Sequence, residues 1–441
     1  MSEAIETRKR SSIRQVATAS LIGTSIEWYD FFLYGTATAL VFNRLFFPTL
    51  SPLAGQLAAF ATFWVGFGAR PIGGIFFGHF GDRIGRKTML ILTLLIMGGG
   101  TFLIGCLPTY VSIGIWAPIL LVILRFAQGF AVGGEWGGAV LMATEHSPSL
   151  KRGFFGSWPQ IGVPIGLLFS SLLFSLVSTN FSSESFLSIG WRIPFLISIV
   201  MVLIGLFIRL RITETPDFEQ VKEQQAIVRL PLLQVLRKDI KNVLLASGIF
   251  FIANGGFYIF ITFVVSYGKT VLDLPGSVIL NGTLVSAVVL FLTLPLAGML
   301  SDRFGRRTLC LAGAIFTGVM AFPIFWLIDS RSAVLIALAL SLAQFGTGLV
   351  YGPLAAFFTE LFGANVRYSG ASLGYQAASV VAGGLAPFVA TALLGVDHNA
   401  SWPIALYVAG MALITAIASY LAPETRPATA SEVPLRSAIG D

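Results

Sequence analysis

Twelve long runs of apolar residues, separated by short polar segments, constrain this chain more than any other feature of its sequence. A helix needs about 20 apolar residues to cross the hydrocarbon core of a bilayer. Backbone groups in lipid must be paired within their own segment, so each run is expected to form a helix. The runs cover residues 17–43, 54–79, 89–108, 117–144, 154–179, 192–210, 242–268, 278–301, 308–328, 333–361, 368–395 and 402–422. The pattern predicts an all-α membrane protein with twelve transmembrane helices.

The composition excludes a soluble protein of this length. Of the 441 residues, 55% are hydrophobic and 11% are charged, whereas soluble domains carry about 25% charged residues. Cys106 and Cys310 both lie inside apolar runs, so no disulfide framework is expected. The histidines His79, His146 and His398 lack the spacing of metal ligands, and no metal site is expected.

Basic residues fix the expected orientation. The net charge is +7, and the lysines and arginines form short clusters in alternate loops, which is a membrane-topology pattern rather than a nucleic-acid-binding one. The first apolar run is too long for a signal peptide and contains Glu27 and Asp30, so it is expected to remain as the first helix. Both termini and the central loop are therefore predicted to be cytoplasmic.

Five segments follow from this topology. We predict a cytoplasmic segment over residues 1–16, a six-helix bundle over 17–210, a cytoplasmic loop over 211–241, a second six-helix bundle over 242–422 and a short disordered cytoplasmic tail over 423–441.

The two halves repeat each other. The loop GHFGDRIGRK at 78–87 recurs as GMLSDRFGRR at 298–307. A glutamate seven residues before an arginine also recurs, and a Glu-Thr pair follows both the sixth and the twelfth run. These repeats are Glu145 with Arg152, Glu360 with Arg367, Glu214-Thr215 and Glu424-Thr425. Their common offset of about 210–220 residues predicts two pseudo-symmetric six-helix bundles arranged as parallel repeats.

These motifs resemble those of the major facilitator superfamily, which carries G-x-x-x-D-R-x-G-R-[KR] loops in both halves and R-x-x-Q-G (Arg125 to Gly129) in the fourth helix. A finer resemblance is to its metabolite:proton symporters, and among these to bacterial shikimate permeases. The segments that carry it are EWYDFFLYG (27–35), LVFNRLFFP (40–48), RPIGGIFFGHFGDRIGRK (70–87), RFAQGFAVGGEWGGA (125–139), WRIPF (191–195), ETPDF (214–218) and TELFGANVRYSGASLGYQAASVVAGG (359–384).

The resemblance implies a proton-coupled symporter that brings a small organic acid, shikimate-like or another carboxylate, into the cytoplasm by alternating access. It also implies that the R-x-x-Q-G arginine takes part in proton coupling. We expect a monomer in the bacterial inner membrane, with no cofactor, no metal and no nucleic acid.

Charged residues deep inside apolar runs include Glu27, Asp30, Arg125 and Glu135. Each costs about 2.5–3.5 kcal/mol at a helix centre, so they are expected to face the bundle interior and to serve proton coupling. Glu27, Asp30 and Tyr34 share one helix face. Two neighbouring carboxylates in a low dielectric resist double ionisation, so one of them is expected to carry the proton. An ion pair with Arg125 that only holds two helices together is the alternative.

Arg125 offers a planar fork of donors that suits a carboxylate, and it lies on one side of the fourth helix with Gln128 and Glu135. It is expected to bind the substrate anion or to modulate proton release, unless it forms a structural pair with Glu135 or Asp30.

The second half supplies neutral polar groups to the expected cavity, although such residues are also ordinary interhelical hydrogen-bonders. The sequence Asn254-Gly255-Gly256 is expected to break the seventh helix so that backbone groups face the cavity. The candidate substrate-binding residues are Tyr34, Arg125, Gln128, Asn254, Tyr258, Gln344, Tyr351, Tyr375 and Gln376, with Asn281 as a further polar group of the second half.

The repeated loops are expected to form a cytoplasmic gate. An aspartate there can cap a neighbouring helix and pair with an arginine, which would clamp the two halves together. Determination of topology alone is the alternative. The candidate gate residues are Asp82, Arg83, Arg86, Glu145, Arg152, Asp302, Arg303, Arg306, Glu360 and Arg367.

Rival functions remain at this point. An osmolyte (betaine or proline) symporter of this type would carry a coiled-coil tail, but the residues after Pro423 show no heptads. A drug/proton antiporter is favoured only by a partial match at GVPIG (162–166). No nucleophile–base or metal constellation indicates an enzyme, and no large soluble domain indicates a receptor.

Overall fold

The computed structural model describes residues 13–84, 86–133, 136, 140, 143–144, 147–211, 235, 237, 239–363 and 367–427. These residues contain helices and no strand. Long helices lie at all twelve predicted runs, so the predicted fold class is confirmed. Their bounds are α1 Ile13–Ala37, α2 Pro52–Ile84, α3 Arg86–Cys106, α4 Trp116–Val132, α5 Ser149–Asn180, α6 Arg192–Arg211, α7 Ile240–Thr270, α8 Gly276–Phe304, α9 Arg306–Asp329, α10 Ala333–Leu361, α11 Ser369–Leu394 and α12 Trp402–Leu421.

The helices are built for a bilayer. Within the described residues, eight helices, α5 to α12, are long and apolar enough to cross a membrane, and two shorter apolar helices are Ile91–Cys106 and Trp116–Val132. Large apolar side chains such as Ile75, Leu244 and Trp326 are exposed on the outside of the bundle. An apolar surface of this extent indicates contact with lipid.

The six helices of each half pack mainly on one another. In the first half α1 packs on α5, α2 on α4 and α3 on α6; in the second, α10 packs on both α8 and α9, and α12 on both α7 and α9. The halves meet along two seams, one between α5 and α8 and one between α2 and α11. The functional residues described below lie along and between these seams.

Helices α2 and α4 touch through their backbones. A Cβ atom on Gly129 would lie 1.8 Å from the carbonyl oxygen of Gly66, and one on Gly73 would lie 1.7 Å from that of Phe130. Only glycine permits this approach. The contact places the side chains of Arg70 and Arg125, which these two helices carry, close to each other in the middle of the first half.

The seventh helix is not broken at Asn254-Gly255-Gly256, so that prediction is wrong. The α-helical part of α7 runs without interruption through Ile240–Tyr258 and widens only afterwards, into a π-helical turn at Ile259–Phe263. Gly255 instead gives room to neighbours, because a Cβ there would meet the sulfur of Met411 and the carbonyl of Ala382. A helix that keeps its backbone hydrogen bonds has a lower free energy than one that opens where no water can replace them.

The close contact of α2 and α4 predicts the effect of Gly129→Ala. The added methyl group collides with backbone that cannot rotate away, so the variant should lose about 1–3 kcal/mol of stability. Thermal unfolding of the purified protein in detergent measures the loss. Gly99→Ala in α3 is the matched control, because a Cβ there meets nothing within 4 Å. Equal melting temperatures for the two variants would contradict the packing described here.

Candidate functional site

The three polar side chains on the inner face of α1 lie in different environments. Glu27 is half-buried and faces a cavity between the two halves. Asp30 is only 1% exposed. The hydroxyl group of Tyr34 is 2.6 Å from that of Thr62 in α2. The helix is fixed in place from behind by Tyr29, whose hydroxyl donates to the carbonyl of Pro194 at 2.8 Å.

Two intervening side chains lie between Asp30 and Arg125, which do not contact each other directly. One guanidinium nitrogen of Arg125 donates to the amide oxygen of Gln128 at 3.3 Å, and the amide nitrogen of Gln128 donates to the hydroxyl of Thr101 at 2.7 Å. That hydroxyl donates to the backbone carbonyl of Met97 at 3.1 Å and lies near the carboxyl group of Asp30. Neither carboxyl oxygen of Asp30 has hydrogen-bond geometry with any described residue. The direct Asp30–Arg125 pair is therefore not formed, and Glu135 lies outside the described residues.

Aromatic rings surround Arg125. Its guanidinium carbon lies 4.2 Å from the ring centre of Tyr34, 4.5 Å from that of Phe31 and 5.2 Å from that of Phe63. Desolvated cation–π contacts are worth about 2 kcal/mol each. They keep a buried cation stable while two of its nitrogens, Nε and one terminal nitrogen, have no hydrogen-bond partner among the described residues.

A second buried arginine, Arg70 in α2, was missing from the sequence-based candidates. Its guanidinium carbon lies 4.4 Å from the ring centre of Phe67 and 4.7 Å from that of Phe31. It is 3% exposed, and its Nε has no partner among the described residues. The signal was available, because Arg70 lies 16 residues inside the second apolar run, where an ionisable group indicates function by default.

Two small cavities lie between the halves. The first, of about 30 Å³, is lined by Glu27, Arg70, Gln160 and Trp136, among others. The second, of about 20 Å³, is lined by residues of α7, α8 and α10. Trp28, Val163, Tyr351 and Tyr375 line both cavities. The two volumes are therefore parts of one narrow cleft, with room for about one or two water molecules each.

The predicted substrate-binding residues divide into two groups around this cleft. Five of them line it: Asn254, Tyr258, Tyr351, Tyr375 and Gln376. The other four, Tyr34, Arg125, Gln128 and Gln344, line neither cavity. Asn254 donates to Ser379 at 3.1 Å, and Asn281 accepts from Ser175 at 2.8 Å across the α5–α8 seam. The two latter contacts are interhelical hydrogen bonds of the ordinary kind.

A stack of four aromatic rings crosses from one half to the other at the first cavity. Trp136 of the first half stacks on Tyr375 of the second at 3.9 Å, and Tyr375 stacks on Phe250 at 4.5 Å. Phe250 in turn faces Tyr351 at 5.7 Å. Beside the stack, Gln376 donates to the carbonyl of Gly133 at 3.2 Å. These contacts join α4 to α11 next to the cleft.

A charged cluster joins the halves at the end of the bundle where α8 meets α9. The two carboxyl oxygens of Asp302 accept hydrogen bonds from the backbone nitrogens of Gly153, at 2.8 Å, and Phe154, at 2.9 Å. Asp302 thereby caps the helical turn Arg152–Ser157 of the other half. Arg306 pairs with Asp302 at 2.6 Å and with Glu360 at 3.3 Å.

The chain after α12 completes this cluster. The carboxylate of Glu424 accepts from the backbone nitrogens of Arg306, at 2.9 Å, and Arg307, at 3.2 Å. Thr425 donates to Glu360 at 2.8 Å. The expectation that the chain is disordered after Pro423 is therefore wrong for this segment. In the sequence, the recurrence of Glu-Thr after both six-helix halves already indicated that the segment after α12 has a structural role.

The remaining candidate gate residues make fewer contacts in this cluster or lie outside the described residues. Arg303 is exposed beside the ring of Phe304, and Arg152 begins the capped turn. Arg367 is half-buried and is the first residue of the helical segment Arg367–Ala378, which continues into α11. The side chains of Asp82, Arg83 and Arg86 and the whole of Glu145 lie outside the described residues, as does most of the predicted loop over 211–241.

The halves also touch at the opposite end of the bundle. Lys269, near the end of α7, donates to the carbonyl of Leu40 at 3.1 Å. Leu40 belongs to the π-helical turn Thr38–Phe42 that follows α1. The halves are therefore joined at both ends of the bundle in this structure.

Comparison with known proteins agrees with the geometry. The chain matches the Major Facilitator Superfamily over residues 20–387. It is 44% identical to the Shikimate transporter of Escherichia coli strain K12, over 95% of this chain and 96% of the relative. It is 42% identical to the Inner membrane metabolite transport protein YhjE of the same strain, over 94% and 95%. A Proline/betaine transporter of that strain is 36% identical, over 92% of this chain and 83% of the relative.

Among solved structures, the fold is similar to that in the crystal structure of a D-xylose-proton symporter, with a TM-score of 0.75 and 20% sequence identity over 95% of this chain and 100% of that one. At this identity the likeness concerns the fold alone.

The Asp302 cluster predicts that Asp302→Asn loosens this end of the bundle, because the amide loses its ion pair with Arg306 and one of its two acceptor oxygens. Ser157 is buried against α8, so a cysteine introduced there reacts with maleimide only when this end of the bundle opens. Its reaction should become roughly ten times faster if the variant loses about 1.4 kcal/mol of the free energy that keeps this end closed.

The labelling is done in a Cys106→Ser background, with buried Cys310 as an internal reference. Asp273→Asn, which changes an exposed aspartate, is the control. Unchanged labelling of the Ser157 cysteine in Asp302→Asn would contradict a closing role for the cluster.

Proposed function

The chain belongs to the Major Facilitator Superfamily of transporters, and we propose that it carries a small organic acid into the cytoplasm together with protons. Family membership makes it a transporter rather than an enzyme. The 44% identity with a shikimate transporter over nearly the full length of both chains supports an organic acid as the substrate. The proton as coupling ion is supported by the environment of Asp30.

The carboxyl group of Asp30 is the observation that carries the proposal. It is fully enclosed in the first half and has no hydrogen-bond partner among the described residues. An ionised carboxylate in such surroundings costs several kcal/mol unless water or a cation reaches it. Its charge must therefore follow the opening and closing of the halves, which is what a proton carrier in a symporter requires.

The side chains around Asp30 explain how proton and substrate could be coupled. Gln128 and Thr101 lie between the carboxyl group and Arg125, so a shift of α3 or α4 changes the distance between the carboxyl and the guanidinium groups. Glu27 lies one helical turn away and faces the cleft. In the proposed cycle, Glu27 or Asp30 takes up a proton from outside, the acid enters the cleft, and the halves rock to release both inside.

We propose that the chain lies in the bacterial inner membrane with both termini in the cytoplasm, as its basic loops indicate. The Asp302 cluster is then the cytoplasmic gate, and the Lys269–Leu40 contact closes the periplasmic side. Since each half supplies residues to one shared cleft, a monomer suffices for transport.

Symport of an osmolyte is the second candidate, because a proline/betaine transporter is 36% identical over 92% of this chain. Both substrate classes contain a carboxylate, but betaine and proline also carry a positive charge. Two buried arginines, without a compensating ion pair among the described residues, favour a substrate with a net negative charge.

Asp30→Asn tests the proposal. The amide has nearly the same shape and no charge, so the variant should fold with unchanged or higher thermal stability. Accumulation of labelled shikimate in proteoliposomes, driven by an inwardly directed proton gradient, should fall at least about tenfold, because the proton-carrying group is lost. Exchange of labelled for unlabelled shikimate without a gradient should persist.

The control is again Asp273→Asn, and the same assay with glycine betaine and proline separates the two substrate classes. Full gradient-driven accumulation by a well-folded Asp30→Asn protein would refute proton coupling at this residue.

A further inference from the structure

Three buried polar side chains with unused hydrogen-bonding capacity converge on the first cavity. Arg70 has an unpaired Nε, Gln160 has no partner for either atom of its amide, and Gln376 has no partner for its amide oxygen, among the described residues. All three line the cavity, and each is at most 7% exposed. Leaving one such group unpaired costs about 1–3 kcal/mol. Three of them around one cavity indicate a site made for a polar ligand.

The chemistry of these groups defines the ligand. Arg70 presents a guanidinium group that lies against the rings of Phe31 and Phe67, and its planar fork of donors suits a carboxylate. The two glutamine amides can each donate to and accept from a hydroxyl group. Trp28 lines the same space and offers an apolar surface to a cyclic body.

We propose that Arg70, and not Arg125, holds the carboxylate of the substrate, while Gln160 and Gln376 bind its hydroxyl groups. This inference rests on the proposed function and assigns its ligand contacts. Arg125 lines neither cavity and is engaged with Gln128 and three aromatic rings. The two arginines thus have separate tasks: Arg70 binds the anion, and Arg125 belongs to the chain of contacts that leads to Asp30.

The assignment also explains how binding would affect a contact between the two halves, the hydrogen bond from Gln376 to Gly133. Gln376 donates to the carbonyl of Gly133 in the other half, and its neighbour Tyr375 stacks on Trp136. A hydroxylated acid that takes over the amide of Gln376 competes with the contact to Gly133. The enclosed cleft must also widen to admit it, since its present volume matches water rather than a metabolite. Substrate would therefore loosen the α4–α11 contact directly.

Three probes of matched shape separate charge from hydroxyl recognition: shikimate, its uncharged methyl ester, and cyclohex-1-ene-1-carboxylate, which has the charge but no hydroxyls. Their affinities are measured by titration calorimetry on the purified full-length protein. The wild type should prefer shikimate over both analogues. Arg70→Gln should weaken shikimate binding about 10- to 100-fold, as expected for a lost charged hydrogen bond, and should abolish the preference over the ester.

Gln160→Leu should give the complementary result. It should reduce the preference of shikimate over the hydroxyl-free acid, since only Gln376 remains to bind hydroxyl groups, and leave the preference over the ester intact. Arg70→Lys keeps the charge but loses the planar fork of donors, so it should retain the preference for the acid with weaker binding. If Arg70→Gln does not fold, Arg70→Lys replaces it as the test of Arg70. Arg331→Gln, at an exposed arginine after α9, is the control for loss of a positive charge.

The inference is overturned if Arg70→Gln keeps the acid preference, or if Arg125→Gln abolishes it instead. A wild-type protein that binds none of the probes overturns the assignment of a hydroxylated acid. Failure of the proposed function is a different result, because then the wild type shows no gradient-driven uptake of shikimate whatever its binding preferences.

Discussion

Arg70 and Arg125 both rest against the ring of Phe31, in the interior of a bundle whose outer surface faces lipid. Neither charge can be placed against hydrocarbon, and neither is neutralised by an ion pair among the described residues. Their presence therefore fixes which faces of α2 and α4 point inwards. It also fixes where α1, which carries Phe31, Glu27 and Asp30, must pack.

The glycines of α2 and α4 make this arrangement possible. Because Gly66 and Gly129 let the two backbones touch, the arginines of these helices lie close enough to share one aromatic ring. The aromatic faces stabilise the cations without removing their hydrogen-bonding capacity. The first half of the molecule thus contains positive charge that is stable enough to fold and still free to act on a carboxyl group or a bound anion.

The second half contributes shape and closure. Its tyrosines, asparagine and glutamine line the cleft, while Asp302, Arg306 and Glu360 close one end and Lys269 closes the other. The charges that we propose for coupling are thereby concentrated in one half, and both halves supply neutral groups to the cleft. Each contact across the two seams can break and reform as the halves rock, without opening the backbone of a helix in lipid.

The sequence was sufficient for the fold and for part of the site. Hydropathy located the twelve long helices. Helix α10, for example, spans Ala333–Leu361 as predicted. The predicted ends of helices were wrong where a helix continues beyond the hydrocarbon core of the bilayer. Helix α2, for example, continues to Ile84 and has Asp82 in its last turn. The Asn254-Gly255-Gly256 prediction failed because glycine in lipid more often permits close packing than a break.

Side-chain environments could not be obtained from spacing along one helix. Glu27 and Asp30 share a face, yet one faces the cleft and the other is sealed beside Thr101, a residue of α3. The assignment of Arg125 to substrate was drawn from its fork of donors and its depth in the fourth apolar run. The orientation of Arg70 towards the cleft depends on packing between the halves, which no local pattern records.

The measurement that tests the central claim most directly is proton movement caused by the substrate itself. Proteoliposomes contain a pH-sensitive dye, start at equal pH on both sides, and receive shikimate on the outside only. The account predicts that the lumen acidifies in step with uptake of labelled shikimate, and that protein-free liposomes show no such change. Uptake of shikimate at a constant luminal pH would contradict the account.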